Sequence, residues 1–346
     1  MCAPAMYRFC ILGAGITGLG LLLLLHEAGV PLDKIVIIDP HYDGGDLARK
    51  WTTVLSNTPW SKTFAALREA CPALQINPLF SSKPMDNSTP LSEIAELLRA
   101  CAAPLLRGVR QIQGEATRVE HESSTKTWHI YLERGGAPVQ ARCLLLAQGA
   151  SPRSLDLPIP SIPLEIALDQ ARLRHYIRPG QRLLVFGTMH SGTLVMRNAV
   201  DCSATVVGLY NTAQPFVWDR DGAYDGIKRE AADIADAITA GRLPAQLVHT
   251  QDTAGVIRAS AGADWVVYAM GFQPRRISLK VDGREHDCTA YDGSTGALRD
   301  VPAAWGFGVA YPNRAPDGVH WDVSVAAFLA HIKSQIPGIL IAASSV

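Results

Sequence analysis

Three glycines spaced as Gly13-Ala-Gly15-Ile-Thr17-Gly18, with Asp39 about 20 residues further on, are the first residues whose types and spacing suggest chemistry. Gly13 permits a tight turn, Gly15 lets a phosphate approach the backbone, and Gly18 lets a helix lie close to a strand. A helix beginning there presents unpaired N–H groups and its positive dipole end to a pyrophosphate. A carboxylate at Asp39 can accept the hydroxyls of a ribose. Together these features hold a dinucleotide. A second turn, Gly187-Thr-Met189-His190-Ser191-Gly192, repeats the spacing with Met189 in place of the middle glycine.

The elements needed to position these residues are legible. Tyr7–Leu12 reads as a buried strand, Leu19–Ala28 as a helix closed by Gly29, and Lys34–Ile38 as a strand ending at Asp39. Around the second turn, Leu183–Phe186 and Thr205–Tyr210 read as strands and Thr193–Val200 as a helix. Between the two units, helical periodicity occurs at Phe64–Leu67 and Leu91–Leu98, separated by a Pro- and Ser-rich stretch at 78–90 that reads as a surface loop or lid. Gln111–Val119, Trp128–Leu132 and Val139–Leu146 alternate as strands, with a loop at Ser123–Lys126 and a turn at Gly135-Gly136. A last helix-like run extends from Asp322 to Ile332.

The chain has 346 residues, 48% of them hydrophobic and 18% charged, with 32 Lys+Arg balancing 32 Asp+Glu. That length suits one large or two ordinary domains, and the composition excludes a largely disordered chain. The charge balance removes the case for a nucleic-acid or polybasic membrane partner. Seven dispersed cysteines (Cys2, Cys10, Cys71, Cys101, Cys143, Cys202 and Cys288) contain no C-x-x-C pair and no metal-ligand spacing. Thiols so placed fit a reducing, cytoplasmic setting. The run Leu19–Leu25 has the look of an anchor, but Gly13, Gly15, Gly18 and Gly20 interrupt the apolar stretch and His26-Glu27 end it, so strand and helix are expected there.

Beyond the first unit, Gly44-Gly45 and Trp51 are followed by Ser56-Asn57, and two hydrophobic strands end in Ala147-Gln-Gly149 and Ala269-Met-Gly271-Phe-Gln-Pro274. In this order the motifs resemble those of the two-dinucleotide-binding-domain flavoproteins, of the pyridine nucleotide–disulfide oxidoreductase type. In motif they are closest to the flavin-containing monooxygenases. The resemblance implies an α/β fold with two Rossmann-like domains, an NAD(P)H domain at 155–275 inserted into an FAD domain at 1–154 and 276–346. It implies that Gly13, Gly15, Thr17, Gly18, Asp39, Gly45, Trp51, Gly149 and Gly308 hold FAD, and that Gly187, His190, Ser191, Gly192 and Gly271 belong to the NADPH (or NADH) side. Asn57 becomes the polar partner of the flavin. Read without the family, Trp51 is a core aromatic, Asn57 a turn residue and His190 a structural histidine.

The implied activity is an NAD(P)H-dependent oxygenation of an amine or sulfur nucleophile of a small molecule, with O₂ activated as a C4a-hydroperoxyflavin. Two departures weaken that label: the F-x-G-x-x-x-H segment is replaced by Ile162–Arg172, and the chain is short for the group. One alternative is a reductase or oxidase of the same superfamily without the disulfide, passing electrons to a quinone, a protein or O₂. The other is a non-catalytic redox sensor that binds dinucleotides. The end of the second unit, Tyr210-Asn211-Thr212, carries neither an acid nor an adjacent Arg, although Arg220, Lys228 and Arg229 follow, so NADPH is favoured mainly by the resemblance. No nucleic-acid, membrane or metal partner is expected, and homodimerisation is left open.

Overall fold

The computed structural model describes residues 5–82, 85–216, 226–315, 318 and 320–344. Cys2 and Arg220 lie outside the described residues. The chain opens with β1 (Met6–Leu12), α1 (Ile16–Glu27), β2 (Ile35–Asp39) and α2 (Asp46–Arg49). β3 (Leu55–Pro59) and β4 (Ser88–Pro90) pair antiparallel around α3 (Trp60–Ala70) and α4 (Pro78–Ser81), so 78–90 is partly helix and strand rather than a loop throughout. Next come α5 (Leu91–Leu106), β5 (Arg110–Gln113), β6 (Ala116–Glu122), β7 (Thr127–Leu132) and β8 (Val139–Leu146). The single strand expected over Gln111–Val119 is two: the backbone breaks at Gly114 (φ 154°), sending β5 to β2 and β6 to β7.

Strand β9 (Ala150–Pro152) leads out of this sheet to the short helices α6 (Leu164–Ala167) and α7 (Gln170–Leu173). A second unit follows: β10 (Arg182–Phe186), α8 (His190–Asp201), β11 (Thr205–Tyr210), α9 (Gly226–Thr239), β12 (Ala245–His249), α10 (Thr253–Ala261) and β13 (Trp265–Tyr268). Its strands form a parallel sheet in the order β12-β11-β10-β13. The chain returns through β14 (Phe272–Pro274), antiparallel to β9, so both crossings share one two-stranded ribbon. β15 (Ser278–Val281), β16 (Arg284–His286) and β17 (Ala304–Gly306) rejoin the first sheet. The hairpin β18 (Asn313–Arg314) and β19 (Trp321–Asp322) precedes α11 (Val325–Ala342). The last helix therefore begins after Asp322, capped by Ser324 Oγ, which accepts the Ala327 N–H at 3.1 Å, and it continues past Pro337.

The first sheet has the order β16-β15-β6-β7-β8-β1-β2-β5. β8 serves two neighbours on one side: Val139–Ala141 pair antiparallel with β7, and Leu144–Leu146 pair parallel with β17. β5, β2, β1, β8 and β17 thus form a parallel half of Rossmann order, and the second sheet repeats its first four places. Every residue of β2 is buried, as a central parallel strand covered on both faces requires. Phe9 and Ile11 face a layer of α1, α3, α5 and α11, while Cys10 and Leu12 face Trp128, Leu144 and Tyr311. The Leu19–Leu25 run is buried all round because α1 is enclosed by the sheet, α5 and α11.

By length and composition α11 could cross a membrane. It nevertheless lays Phe328, Leu329, Ile332, Ile336 and Ile339 into the core and exposes Lys333, Ser334, Pro337 and Gly338. The architecture is an α/β fold of two Rossmann-like dinucleotide-binding domains, the second inserted into the first.

Candidate cofactor-binding site

At the first turn, Gly13 has φ 105° and a Cβ there would stand 2.5 Å from the Ala147 carbonyl oxygen. A Cβ on Gly18 would overlap the Gly13 carbonyl oxygen, so helix and strand meet only because both residues are glycine. Gly15 caps α1, and no side chain occupies the helix end. Across from it, a Cβ on Gly45 would lie 2.8 Å from Gly15 Cα, so backbone packs on backbone there and Gly45 leaves no room for a side chain. Asp39 is buried, with Oδ2 accepting the Ala14 N–H at 2.7 Å and Oδ1 accepting those of His41 (2.7 Å) and Tyr42 (2.8 Å). Each oxygen of an ionised carboxylate has two acceptor sites, so Oδ2 can take a ribose hydroxyl as well.

The end of β8 and the C-terminal segment close this turn. Ala147 N–H donates to Leu12 O at 2.9 Å, and Phe307 N–H donates to Leu146 O at 2.9 Å. Gly308 (φ 84°) then lies against Thr17, which a Cβ would overlap. Gly20 and Ile16 meet Leu329 and Val325, which brings the N-termini of α1 and α11 together. Gln148, between Ala147 and Gly149, carries a buried amide oxygen with no hydrogen-bond partner among the described residues. Such an acceptor calls for a donor, from ordered water or from a bound molecule. The glycine turn, the uncapped helix end, the acid and this orphan acceptor all fit a dinucleotide such as FAD.

Arg275, which the sequence reading missed, fastens the ribbon to this site. Its Nη1 donates to Gln148 O at 2.8 Å and its Nη2 pairs with Asp46, a carboxylate also reached by Arg49 (3.2 Å) and Lys50 (3.7 Å). Nothing in the spacing marks Arg275, because its partners come from α2 and from the loop after β8.

The second turn copies the first. Gly187 has φ 92° with its Cβ position on Ala269 O, and a Cβ on Gly192 would overlap Gly187 O. Met189 caps α8 at φ −81°, ψ −178°, close to Gly15 at φ −72°, ψ −175°. The backbone therefore tolerates the substitution, and the difference is a side chain over the turn. Thr188 Oγ1 donates to Pro215 O, tying down the loop after β11. His190 opens α8 and is held below its ordinary pKa by burial, with Lys228 adding to the shift, so it is neutral at pH 7. Ser191 follows in the first turn of α8, and Gly271 (φ 80°) starts the returning ribbon.

Trp51 and Asn57 lie where the two domains touch. Trp51 is buried among second-domain side chains and meets Phe272 edge-on at 5.5 Å. Asn57 is exposed, and its Oδ1 accepts the Lys228 N–H at 3.1 Å, in the first turn of α9. The described cysteines (Cys10, Cys71, Cys101, Cys143, Cys202 and Cys288) are all free and buried. Burial raises their pKa values, Cys71 to about 12 and Cys101 to about 11, so none of them is a thiolate at neutral pH. No group of three or more metal-ligating side chains occurs among the described residues.

No family model matches the chain. Over 97% of its length it is 25% identical to monooxygenase AgnR1 of Paecilomyces divaricatus, 99% of which is covered. In fold it is similar to the bacillithiol disulfide reductase Bdr of Staphylococcus aureus (TM-score 0.66, 13% identity, 97% of this chain and 98% of that one). It is also similar to OTEMO in complex with FAD and NADP (TM-score 0.59, 14% identity, 99% of this chain and 86% of that one). In fold, the chain thus has the two-domain α/β architecture of these solved structures.

Proposed function

We propose that the chain is a FAD-dependent, NAD(P)H-using oxidoreductase that oxygenates an amine or sulfur nucleophile of a small molecule. The observation that carries the reading is the pair of matching glycine turns, joined by one ribbon, in a chain whose described thiols are all buried and protonated. Two dinucleotide sites without a reactive thiol pair favour electron transfer to oxygen over exchange with a disulfide. The likeness to monooxygenase AgnR1 points the same way. When bound, FAD supplies the two-electron and oxygen chemistry.

The chain's own residues hold, orient and shield. The α1 N-terminus and the glycine turn before it receive the pyrophosphate, and Asp39 takes the adenosine ribose. Gly308 and the N-terminus of α11 lie at the flavin end, where a helix dipole favours negative charge. Gln148 offers its unpaired oxygen to a donor on the cofactor. Asn57, with its oxygen engaged by Lys228, keeps its NH₂ group for a bound molecule. Neutral His190 and Ser191 line the reductant's side.

Anaerobic stopped-flow mixing with NADPH or NADH, followed by oxygen, tests the reading. Flavin bleaching followed by a transient spectrum distinct from both oxidised and reduced forms, with product oxygenation, is expected. Bleaching with direct return to the oxidised spectrum refutes the monooxygenase and leaves a reductase or oxidase. A protein that takes up no FAD refutes the whole reading.

A further inference from the structure

Two crossing strands are enough to join an inserted domain to its host, and interfaces between domains of one chain are commonly polar and leave them free to move. Here the junction is apolar and closely fitted. Trp51 and Val54 of the outer domain belong to the core of the inserted one, together with Leu194 of α8 and Ile227 and Ile234 of α9. Leu47 of α2 and Leu91 of α5 pack against the same cluster. Beside it, β3 touches α9. Gly226, which opens α9 at φ 53°, approaches β3 so closely that a Cβ there would overlap the Ser56 carbonyl oxygen. Asn57 Oδ1 accepts the Lys228 N–H at 3.1 Å, so a side chain of one domain satisfies the first turn of a helix in the other. The ribbon adds Phe272 on Trp51 and Arg275 on Asp46.

These contacts form a short bridge between the two glycine turns. α2 opens at Gly45, whose backbone packs on Gly15 of the first turn, and its Leu47 reaches the cluster that holds α8, the helix opened by the second turn. Hydride transfer needs its two partners in near contact, and a displacement of about 1 Å costs about 100-fold in rate. We propose that this junction sets the spacing of the two dinucleotides, with Gly226 as a positioning residue, and that the domains keep one orientation throughout turnover. The inference rests on the reading that the two turns hold FAD and the reductant.

The test is a distance measured by pulsed electron spin resonance between nitroxides on Ala254→Cys in α10 and Ala330→Cys in α11. Both positions are exposed, one in each domain, and in a Cys2→Ser background the remaining native thiols are buried. In the FAD-loaded full chain a single distance is expected, unchanged by NADP⁺. Gly226→Ala is expected to change that distance and to slow anaerobic bleaching by saturating NADPH about 100-fold, while FAD absorbance and the half-saturating NADPH concentration stay native. Val54→Ala, which keeps the backbone and only thins the junction, is expected to broaden the distance and slow bleaching less, and it keeps the test open should Gly226→Ala fail to fold. A second distance in the native chain, or one that NADP⁺ changes, overturns the fixed orientation. Native distance or native bleaching in the folded variants overturns the positioning role. No bleaching of the native chain by NADPH or NADH overturns the reductant reading, and the positioning with it, whatever the distance.

Discussion

Replacing Asp39 by Asn keeps the shape of the side chain and changes only its acceptor count. The carboxylate accepts three N–H groups, at 2.7, 2.7 and 2.8 Å, from both sides of the turn. An amide has one oxygen, so it can serve either Ala14 or the His41–Tyr42 pair. If it keeps the pair, its NH₂ group confronts the Ala14 N–H, and a charge-assisted bond becomes a donor–donor contact. A buried hydrogen bond to a charged group contributes about 1.5–3 kcal/mol, so a loss of about 2–3 kcal/mol is expected. For a domain of this size that lowers the melting temperature of the apoprotein by roughly 5–10 °C. FAD should also bind about 10–100-fold more weakly, because the ribose loses its charged acceptor and Ala14 sits in the turn itself. Thermal unfolding of the apoprotein and quenching of FAD fluorescence read the two effects separately. An Asp39→Asn protein with native melting and native FAD affinity would refute the assignment of Asp39 as both turn brace and ribose acceptor.

Gly192→Ala, whose new methyl overlaps the Gly187 carbonyl, should abolish flavin reduction by NAD(P)H while FAD stays bound; Gly18→Ala should instead release FAD. Arg275→Met should cost about 1 kcal/mol in urea unfolding, since the pair is partly exposed and Asp46 keeps Arg49 and Lys50. Ellman's reagent should find at most the Cys2 thiol in the native chain at pH 8 and all seven after unfolding. His121, His190 and His331 all have pKa values lowered by burial, so the unfolded chain binds protons more readily. Their contribution is complete above pH 6.5 and is lost as pH falls through and below it, which melting curves between pH 7 and pH 5 should follow. His331→Leu should be neutral or stabilising at pH 7, because His331 Nε2 has no hydrogen-bond partner among the described residues, and should flatten that acid limb.

The Rossmann units were legible because each is local: strand, glycine turn, helix and strand lie in one window, and burial on both faces demands unbroken apolar runs. Gln111–Val119 misled because Ile112 and Ala116 keep an even spacing across Gly114, while the backbone changes neighbours there. The last helix was misplaced for a similar reason. Its capping residue is Ser324, and Pro337 reads as a stop although the helix passes through it. The glycine positions could be read since close approach leaves only one residue type. Arg275 could not, because its partners are set by the crossing ribbon.

The way each cradle is closed has a consequence for the order in which the nascent chain matures. Gly187 is closed by Ala269, and every strand of that sheet lies between β10 and β13. The inserted domain can therefore finish on the ribosome as one contiguous piece. The outer domain begins first and ends last: Gly13 waits for Ala147, Thr17 for Gly308, and α1 for α11. Until α11 emerges, the side of α1 that α5 and the sheet leave uncovered, around Gly20, stays open, so the outer half is the aggregation-prone stage of synthesis.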